Sequence, residues 1–220
     1  MRVSALRPAY AGITRVVDDL DDSALLAPSG CHGWSIADLL LHMTMDAQRA
    51  LVAFASPADA PPDVDAVTYW RSPPTAPGDA LAHTTWVRRS AAAFAQPTGV
   101  VRMWRDLAPA AARAAAAADP DGRVTTQGHV LTVPDFVATL VTEAVIHHLD
   151  LTANLPDAPG PAAEAVAVAR STLEDLAGPE GLPSHWDERE ALLKATGRAP
   201  LTDADRRALD HRAAPWPLIG

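Results

Sequence analysis

A glutamate and a histidine one helical turn apart are the first residues whose types and spacing suggest metal chemistry. They are Glu143 and His147, in the segment TEAVIHHLDLTANL. The i, i+4 spacing places both side chains on one face of a helix, where a carboxylate and an imidazole can reach the same ion. Helical bundles build metal sites from such inward-facing pairs, so the pair predicts a metal site between helices.

A third ligand is expected from another helix, and His42 is the candidate. It lies in the middle of the apolar-periodic segment 36–55. The residues alone leave a second interpretation open, because a mid-helix histidine is commonly a satisfied core or surface residue and a Glu/His pair is commonly a surface pair. His148 points about 100° away from His147, so we expect it to be structural or exposed, with a role as substitute ligand as the alternative.

Each predicted ligand histidine has carboxylates close to it on its own helix. Asp38 and Asp46 lie four residues before and after His42, and Asp150 lies three residues after His147. A carboxylate so placed can accept a hydrogen bond from the second ring nitrogen and fix the tautomer that binds metal. The sequence therefore supplies candidates for residues that hydrogen-bond to the metal ligands, as well as for the ligands themselves.

Helical periodicity extends over most of the chain. The predicted helices cover residues 4–20, 36–55, 79–95, 98–118, 133–154 and 161–177, with two short ones near 185–196 and 203–211. The β-branched stretch 123–131 predicts a short hairpin or an extended crossing, and the Pro-rich stretch 56–78 predicts a long ordered loop. We expect an all-α four-helix bundle over residues 1–177 and a short helical C-terminal extension, 178–220, that packs on it.

Composition narrows the classes of function. The 220 residues are 48% hydrophobic and 20% charged, which is ordinary for a folded domain, and the net charge of −9 argues against a nucleic-acid partner. Cys31 is the sole cysteine, which fits a reducing compartment, and no apolar run is long enough for a membrane span. We expect a cytoplasmic monomer or homodimer. Lys194 is the sole lysine beside many arginines, as in a GC-rich, actinobacterial genome.

Three segments resemble a known family. GWSIADLLLHMTMDAQRA is similar to the second-helix motif of the DinB-like, mycothiol-dependent maleylpyruvate isomerase family, and TEAVIHHLDLTANL is similar to that family's Glu-x-x-x-His-x-x-Asp helix. The late segment ALLKATGRAPLT also matches, in the same order along the chain. The resemblance implies a DinB-like four-helix bundle, a zinc ion held by His42, Glu143 and His147, and mycothiol or a related low-molecular-weight thiol as cofactor. Residues 178–220 are shorter than the C-terminal domain of that family's isomerases, so maleylpyruvate is not assigned as the substrate.

The expected function follows from an open metal position. Three protein ligands leave room for a further group, which is typical of catalytic sites. We expect a zinc-dependent enzyme, with another divalent metal as the alternative, that activates mycothiol against a small electrophilic metabolite as an S-transferase or an isomerase. Two rival interpretations remain: a non-catalytic metal-dependent binding or stress-response protein, and a non-haem iron oxygenase, since two histidines and one carboxylate also suit that class.

Arginines are the candidates for binding an anionic part of the substrate or thiol. Arg71, Arg105 and Arg198 are considered, and Arg198 in the C-terminal extension is the candidate catalytic residue. Trp70 and Arg71 are the candidate cofactor-binding residues. We also expect Arg198 or Trp186 to close the pocket from the extension.

The remaining reactive or aromatic residues receive structural interpretations. His83 and His129 lie outside the motifs and are expected to be exposed or structural. Trp34 is expected in the core or in a pocket wall. Cys31 beside His32 resembles a nucleophile pair, but adjacent residues do not face each other on a helix, so Cys31 is expected to be inert.

Overall fold

The fold is mostly helical. The computed structural model describes residues 2–71, 79–210 and 216–219. The helices in these ranges are α1 (Arg2–Val17), α2 (Asp22–Leu25), α3 (Ile36–Phe54), α4 (Asp79–Ala92), α5 (Thr98–Ala117), α6 (Val133–Thr152), α7 (Ala163–Ala177), α8 (Glu188–Ala195) and α9 (Asp203–Leu209). The strands are β1 (Arg123–Thr126) and β2 (His129–Thr132), and a 3-10 turn covers Thr68–Arg71.

Four long helices form the bundle. Helix α1 packs against α5 and α6, and α3 packs against the same two helices, so the four enclose one core. Fully buried side chains such as Ile13, Leu40, Trp104 and Phe136 fill it. Helix α7 packs on α1 and α6, while α4 packs on α3. The predicted all-α four-helix bundle is confirmed. Among the residues described, no helix has the length and apolarity that crossing a membrane requires.

Side-chain caps fix where the two site-bearing helices begin. Ser35 accepts a hydrogen bond from the backbone N–H of Asp38, and Asp38 in turn accepts one from the N–H of Ser35. Thr132 accepts from the N–H of Asp135 at the start of α6. Each cap satisfies backbone donors that a helix leaves unpaired at its first turn. The start of α3 therefore agrees with the predicted one.

Two predicted segments differ in detail from the observed elements. The predicted first helix, 4–20, is too long at its end: α1 stops at Val17, and the short helix α2 follows with Asp21 as its cap. Within the predicted loop, Pro57 bridges to Val124, and the 3-10 turn breaks the irregular run. Residues 72–78 of that predicted loop lie outside the described residues.

The predicted hairpin is present between α5 and α6. β1 and β2 pair antiparallel with Thr126 opposite His129. The two turn residues, Gln127 and Gly128, have φ of 47° and 83°. A two-residue turn with both φ values positive matches the twist of the flanking strands, and glycine adopts that conformation without strain.

The C-terminal segment is organised around a buried ion pair. Lys194 Nζ lies 2.8 Å from Asp205 Oδ2, with exposed side-chain fractions of 7% and 1%. The indole N–H of Trp186 donates to the other oxygen of Asp205. Trp186 also packs edge-on against Trp216, with ring centroids 5.4 Å apart. Helices α8 and α9 are thereby joined to each other, and α8 packs on α7.

Candidate metal centre

The structure brings His42, Glu143 and His147 together between α3 and α6. Oε1 of Glu143 lies 3.3 Å from Nε2 of His42 and 3.3 Å from Nε2 of His147. The three ligand atoms lie within 4.8 Å of one another. Their side chains are 15%, 23% and 12% exposed in that order, so the cluster is recessed but still partly exposed to solvent.

The hydrogen bonds of His147 fit a cation between these atoms. Nδ1 of His147 lies 3.0 Å from Oδ2 of Asp150, as the sequence suggested. A neutral imidazole that donates from Nδ1 presents the lone pair of Nε2 to the carboxylate of Glu143. A lone pair facing a carboxylate oxygen is repulsive unless a positive charge lies between them. Two imidazoles and one carboxylate are also ligands that zinc prefers, so the residues present fit the implied metal.

The electrostatics of the cluster favour the same positive charge. Burial opposes ionisation of Glu143, but hydrogen bonds with His147 and His42 outweigh it and hold the pKa of Glu143 well below its ordinary value. Burial also opposes a charged His147, yet its contacts with Asp150, Cys31 and Glu143 raise the pKa of His147 well above its ordinary value. A proton or a metal ion can supply this charge, so the two compete for the site.

Asp150 anchors the outer side of His147. Arg198 donates to both of its carboxylate oxygens, with Nε–Oδ1 3.1 Å and Nη2–Oδ2 2.8 Å. Burial disfavours a charged Asp150, but hydrogen bonds from His147 and Arg198 lower its pKa. This bidentate pair ties the C-terminal extension to helix α6 beside the candidate metal centre.

Cys31 joins the same hydrogen-bond network. Its Sγ lies 3.3 Å from Oδ2 of Asp150 and 3.8 Å from Nδ1 of His147. The approach depends on Gly30, whose N–H donates to the Asp150 carbonyl at 2.8 Å and where an added Cβ would lie 2.9 Å from the Asp150 Cα. A second set of possible ligand atoms, also within 4.8 Å of one another, comes from Cys31, His147 and Asp150. The guanidinium of Arg198 already pairs with the carboxylate of Asp150. We therefore interpret Cys31 and Asp150 as supports for His147 and not as a second metal site.

Aromatic rings lead from the surface to His42. Trp34 and His83 pack against the His42 ring, with centroid distances of 5.3 and 5.6 Å. Trp86 follows 6.0 Å beyond His83 and is 52% exposed. The predicted pocket-wall position of Trp34 agrees with this contact. His83 is exposed as predicted, but its place beside a candidate ligand had no signal in the sequence.

A polar cluster of Asp46, Arg49 and Thr126 lies beside His42. Asp46 Oδ2 is 3.9 Å from Nε2 of His42, and its Oδ1 accepts from Arg49 at 3.0 Å. Arg49 also donates to Thr126 on β1 at 3.1 Å. Sequence reasoning overlooked Arg49, although residues 42, 46 and 49 repeat at i, i+4 and i+7 and therefore share one helical face.

Comparison with known proteins identifies the family. The model of the mycothiol maleylpyruvate isomerase N-terminal domain matches residues 6–152. The chain belongs to this family. No curated protein and no solved structure gives a significant match. The part matched by the mycothiol maleylpyruvate isomerase N-terminal domain runs from α1 to the end of α6 and contains all three candidate ligands.

Two of the candidate arginines are engaged away from the three ligands. Arg71 donates to the backbone carbonyl of Leu176, at the end of α7. Arg105 pairs with Asp18 at 2.7 Å, where both side chains are largely exposed. Trp70, beside Arg71, packs edge-on against a neighbouring tyrosine. The assignment of Trp70 and Arg71 to cofactor binding stays a prediction.

Other predicted residues have structural contacts. Trp186 is buried within the extension, where it donates to Asp205. Of the two residues expected to close the pocket, Arg198 is the one that contacts Asp150 beside His147. His148 is 1% exposed, and its Nε2 bonds to the Pro159 carbonyl. His129 pairs with a loop aspartate at 2.9 Å. Both histidines fit the structural interpretation.

Proposed function

We propose that the protein is a zinc-dependent enzyme that activates mycothiol, or a related thiol, for reaction with a small electrophilic metabolite. The convergence of His42, Glu143 and His147 in a recessed, solvent-open cluster carries the proposal. Membership of the mycothiol maleylpyruvate isomerase N-terminal domain family supports the choice of thiol. We further propose that residues 1–177 form the metal-binding bundle and that residues 178–220 complete the site through Arg198.

The chain's own residues have distinct tasks in this reaction. His42, Glu143 and His147 hold the metal, and Asp150 keeps the Nε2 lone pair of His147 directed to it. When bound, zinc stabilises the thiolate form of a coordinating thiol at neutral pH. Arg198 fixes Asp150 through two hydrogen bonds. We propose that this pairing, or a contact with an anionic substrate group, gives Arg198 its part in catalysis.

The bond changes are those of thiol addition. The thiol sulfur forms a bond to the electrophilic carbon, and the proton of the thiol leaves to solvent. In an S-transferase a leaving group departs with the electron pair of its former bond to carbon. In an isomerase the sulfur adds to one carbon of a conjugated double bond, and the π electrons move onto the adjoining carbonyl group. Rotation about the resulting single bond follows; the electron pair then returns, re-forms the double bond and expels the thiolate as the same carbon–sulfur bond breaks. The aromatic rings of Trp34 and His83 beside His42 suit a planar, unsaturated substrate.

Thiol-dependent loss of an electrophile is the test. The zinc-loaded protein is incubated with mycothiol and a panel of electrophiles, among them alkyl halides, epoxides and cis-unsaturated acids, and each is followed by chromatography. We expect consumption or isomerisation of at least one compound, faster with mycothiol than with glutathione, and loss of that rate in His147→Ala. If no compound reacts although zinc and mycothiol both bind, the enzyme proposal fails and the non-catalytic binding protein is favoured. Consumption that needs oxygen and a 2-oxoacid would instead indicate the oxygenase class.

A further inference from the structure

We propose that Asp46 is a positioning residue of the metal centre, whose Oδ2 accepts a hydrogen bond from the group bound at the open metal position. The inference rests on the proposed function, because it needs a metal held by the three ligands. Asp46 lies one turn after His42 on the same face of α3. Its Oδ2 is 3.9 Å from Nε2 of His42, which is also the nitrogen that faces Glu143.

This placement puts Asp46 next to the metal ligands without making it a ligand itself. The sequence suggested that Asp46 could hold the second ring nitrogen of His42, but the structure puts the carboxylate beside Nε2, on the metal-facing edge of the ring. Asp46 also lies outside the cluster whose ligand atoms are all within 4.8 Å of one another. A hydrogen bond to a metal-bound group fits both observations, whereas direct coordination does not.

The two oxygens of Asp46 differ in what they bind. Oδ1 accepts from Nη2 of Arg49 at 3.0 Å, and Arg49 is held in turn by Thr126. Oδ2 is buried and has no hydrogen-bond partner among the described residues. A buried carboxylate oxygen without a donor is unfavourable, because it has lost its hydration and gained no hydrogen bond in return. A donor on the bound ligand would supply that hydrogen bond, and Arg49 keeps the carboxylate in place to receive it.

Tyr10 is a second buried polar group without a hydrogen-bond partner in the described part of the chain, and the charges of Asp46 and Glu143 act on it. Its side chain is 2% exposed, and its hydroxyl also lacks a hydrogen-bond partner among the described residues. Burial first, and the charge of nearby Asp46 second, raise the pKa of Tyr10, so the hydroxyl stays protonated. Glu143 acts on Tyr10 in the same direction. Two buried oxygens without partners in the described ranges, one of them 3.9 Å from a candidate ligand, are expected where a polar ligand completes the hydrogen bonds.

Cobalt(II) is a suitable probe, because its visible absorption changes with the surroundings of the ion. In Asp46→Asn the amide oxygen can still accept from Arg49, while the amide nitrogen replaces an acceptor with a donor. We expect a shifted cobalt spectrum and a cobalt affinity lower by about tenfold, as for other outer-layer partners of metal ligands. Asp38→Asn is the matched control, because Asp38 lies four residues before His42 but binds the N–H of Ser35. It should leave spectrum and affinity unchanged.

The outcomes separate this role from the metal centre itself. If the wild-type protein binds cobalt and Asp46→Asn gives the same spectrum and affinity, the role of Asp46 is overturned and the centre stands. If the wild type binds no cobalt, both are overturned. Circular dichroism establishes that each variant is folded. Asp46→Glu is the second variant: it restores a carboxylate, so it should recover part of the lost affinity, and recovery no better than in Asp46→Asn would also contradict the proposal.

Discussion

Arg198 and Asp150 form a bidentate ion pair between the C-terminal extension and helix α6, with N–O distances of 3.1 and 2.8 Å. Asp150 is only 2% exposed in its side chain, and it also accepts from His147. Removing one partner of a buried pair leaves the other charge uncompensated. Arg198 therefore couples the extension to the candidate metal centre.

Replacing Arg198 should test that coupling. Arg198→Ala should lower the free energy of unfolding by about 2–3 kcal/mol, because Asp150 keeps only part of its hydrogen bonding. Zinc affinity should fall by about tenfold, because His147 loses a fixed support. Denaturant unfolding and competition with a chromophoric chelator measure the two effects. Arg170→Ala is the control, since its pair with Glu174 is on a solvent-exposed part of α7 and should contribute less than about 1 kcal/mol.

The three candidate ligands should each be required for metal. We expect about one zinc per chain in the wild type and its loss in His42→Ala, Glu143→Ala and His147→Ala, because each change removes a ligand from a site that has three. Elemental analysis of the purified proteins measures this. His129→Ala, which alters a histidine paired with Asp63, should keep its zinc. Full zinc occupancy in any two of the ligand variants would contradict the assignment of this metal site.

The pH dependence of zinc binding has a defined sign. The raised pKa of His147 means that the zinc-free site holds a proton over a wider pH range than an ordinary histidine. Zinc must displace that proton, so its apparent affinity should fall as the pH is lowered and rise as the proton is lost. Chelator competition at several pH values follows the change. An affinity that does not vary with pH would contradict the assignment of His147.

Chelation should leave the bundle folded. The core of α1, α3, α5 and α6 is apolar and continuous, so the fold does not need a metal as small domains often do. Helical circular dichroism should persist after zinc removal, while the melting temperature falls through the loss of bound ligand. Complete loss of helix would show that the metal is structural and would contradict the catalytic proposal.

Local spacing explains which parts of the site could be predicted from the sequence. Glu143 and His147 share a helical face whatever the tertiary structure, and the pattern around His42 indicated a second long helix. The contacts of Cys31 and His83 depend on how a loop and α4 lie against α6 and α3, and no local pattern records such packing. Arg49 is different, because it lies on the same face of α3 as His42 and could have been found by extending the i, i+4 series.

The ion pair of Lys194 and Asp205 should stabilise the C-terminal segment. Burial opposes a charged Asp205, but hydrogen bonds with Lys194, Trp186 and Thr202 lower its pKa. The stabilisation is therefore present above the ordinary aspartate pKa of about 3.9 and is lost as the pH falls below it. Asp205→Asn should reduce the free energy of unfolding by roughly 2 kcal/mol near neutral pH, because Lys194 loses its buried counter-charge. Thermal unfolding measures this; an unchanged melting temperature would argue that the pair contributes little.

Thiol binding is the most informative measurement for the proposed function. The zinc-loaded protein should bind mycothiol in preference to glutathione, since membership of the mycothiol maleylpyruvate isomerase N-terminal domain family points to that thiol. Binding should release a proton, because coordination favours thiolate over thiol. Calorimetry in two buffers with different ionisation enthalpies measures the proton count, and the signal should vanish in His147→Ala while helical circular dichroism remains. A metal-binding bundle without a thiol partner would show no proton release and no difference between the two thiols. That result would contradict the transferase and isomerase mechanisms, while the assignment of the metal ligands would stand.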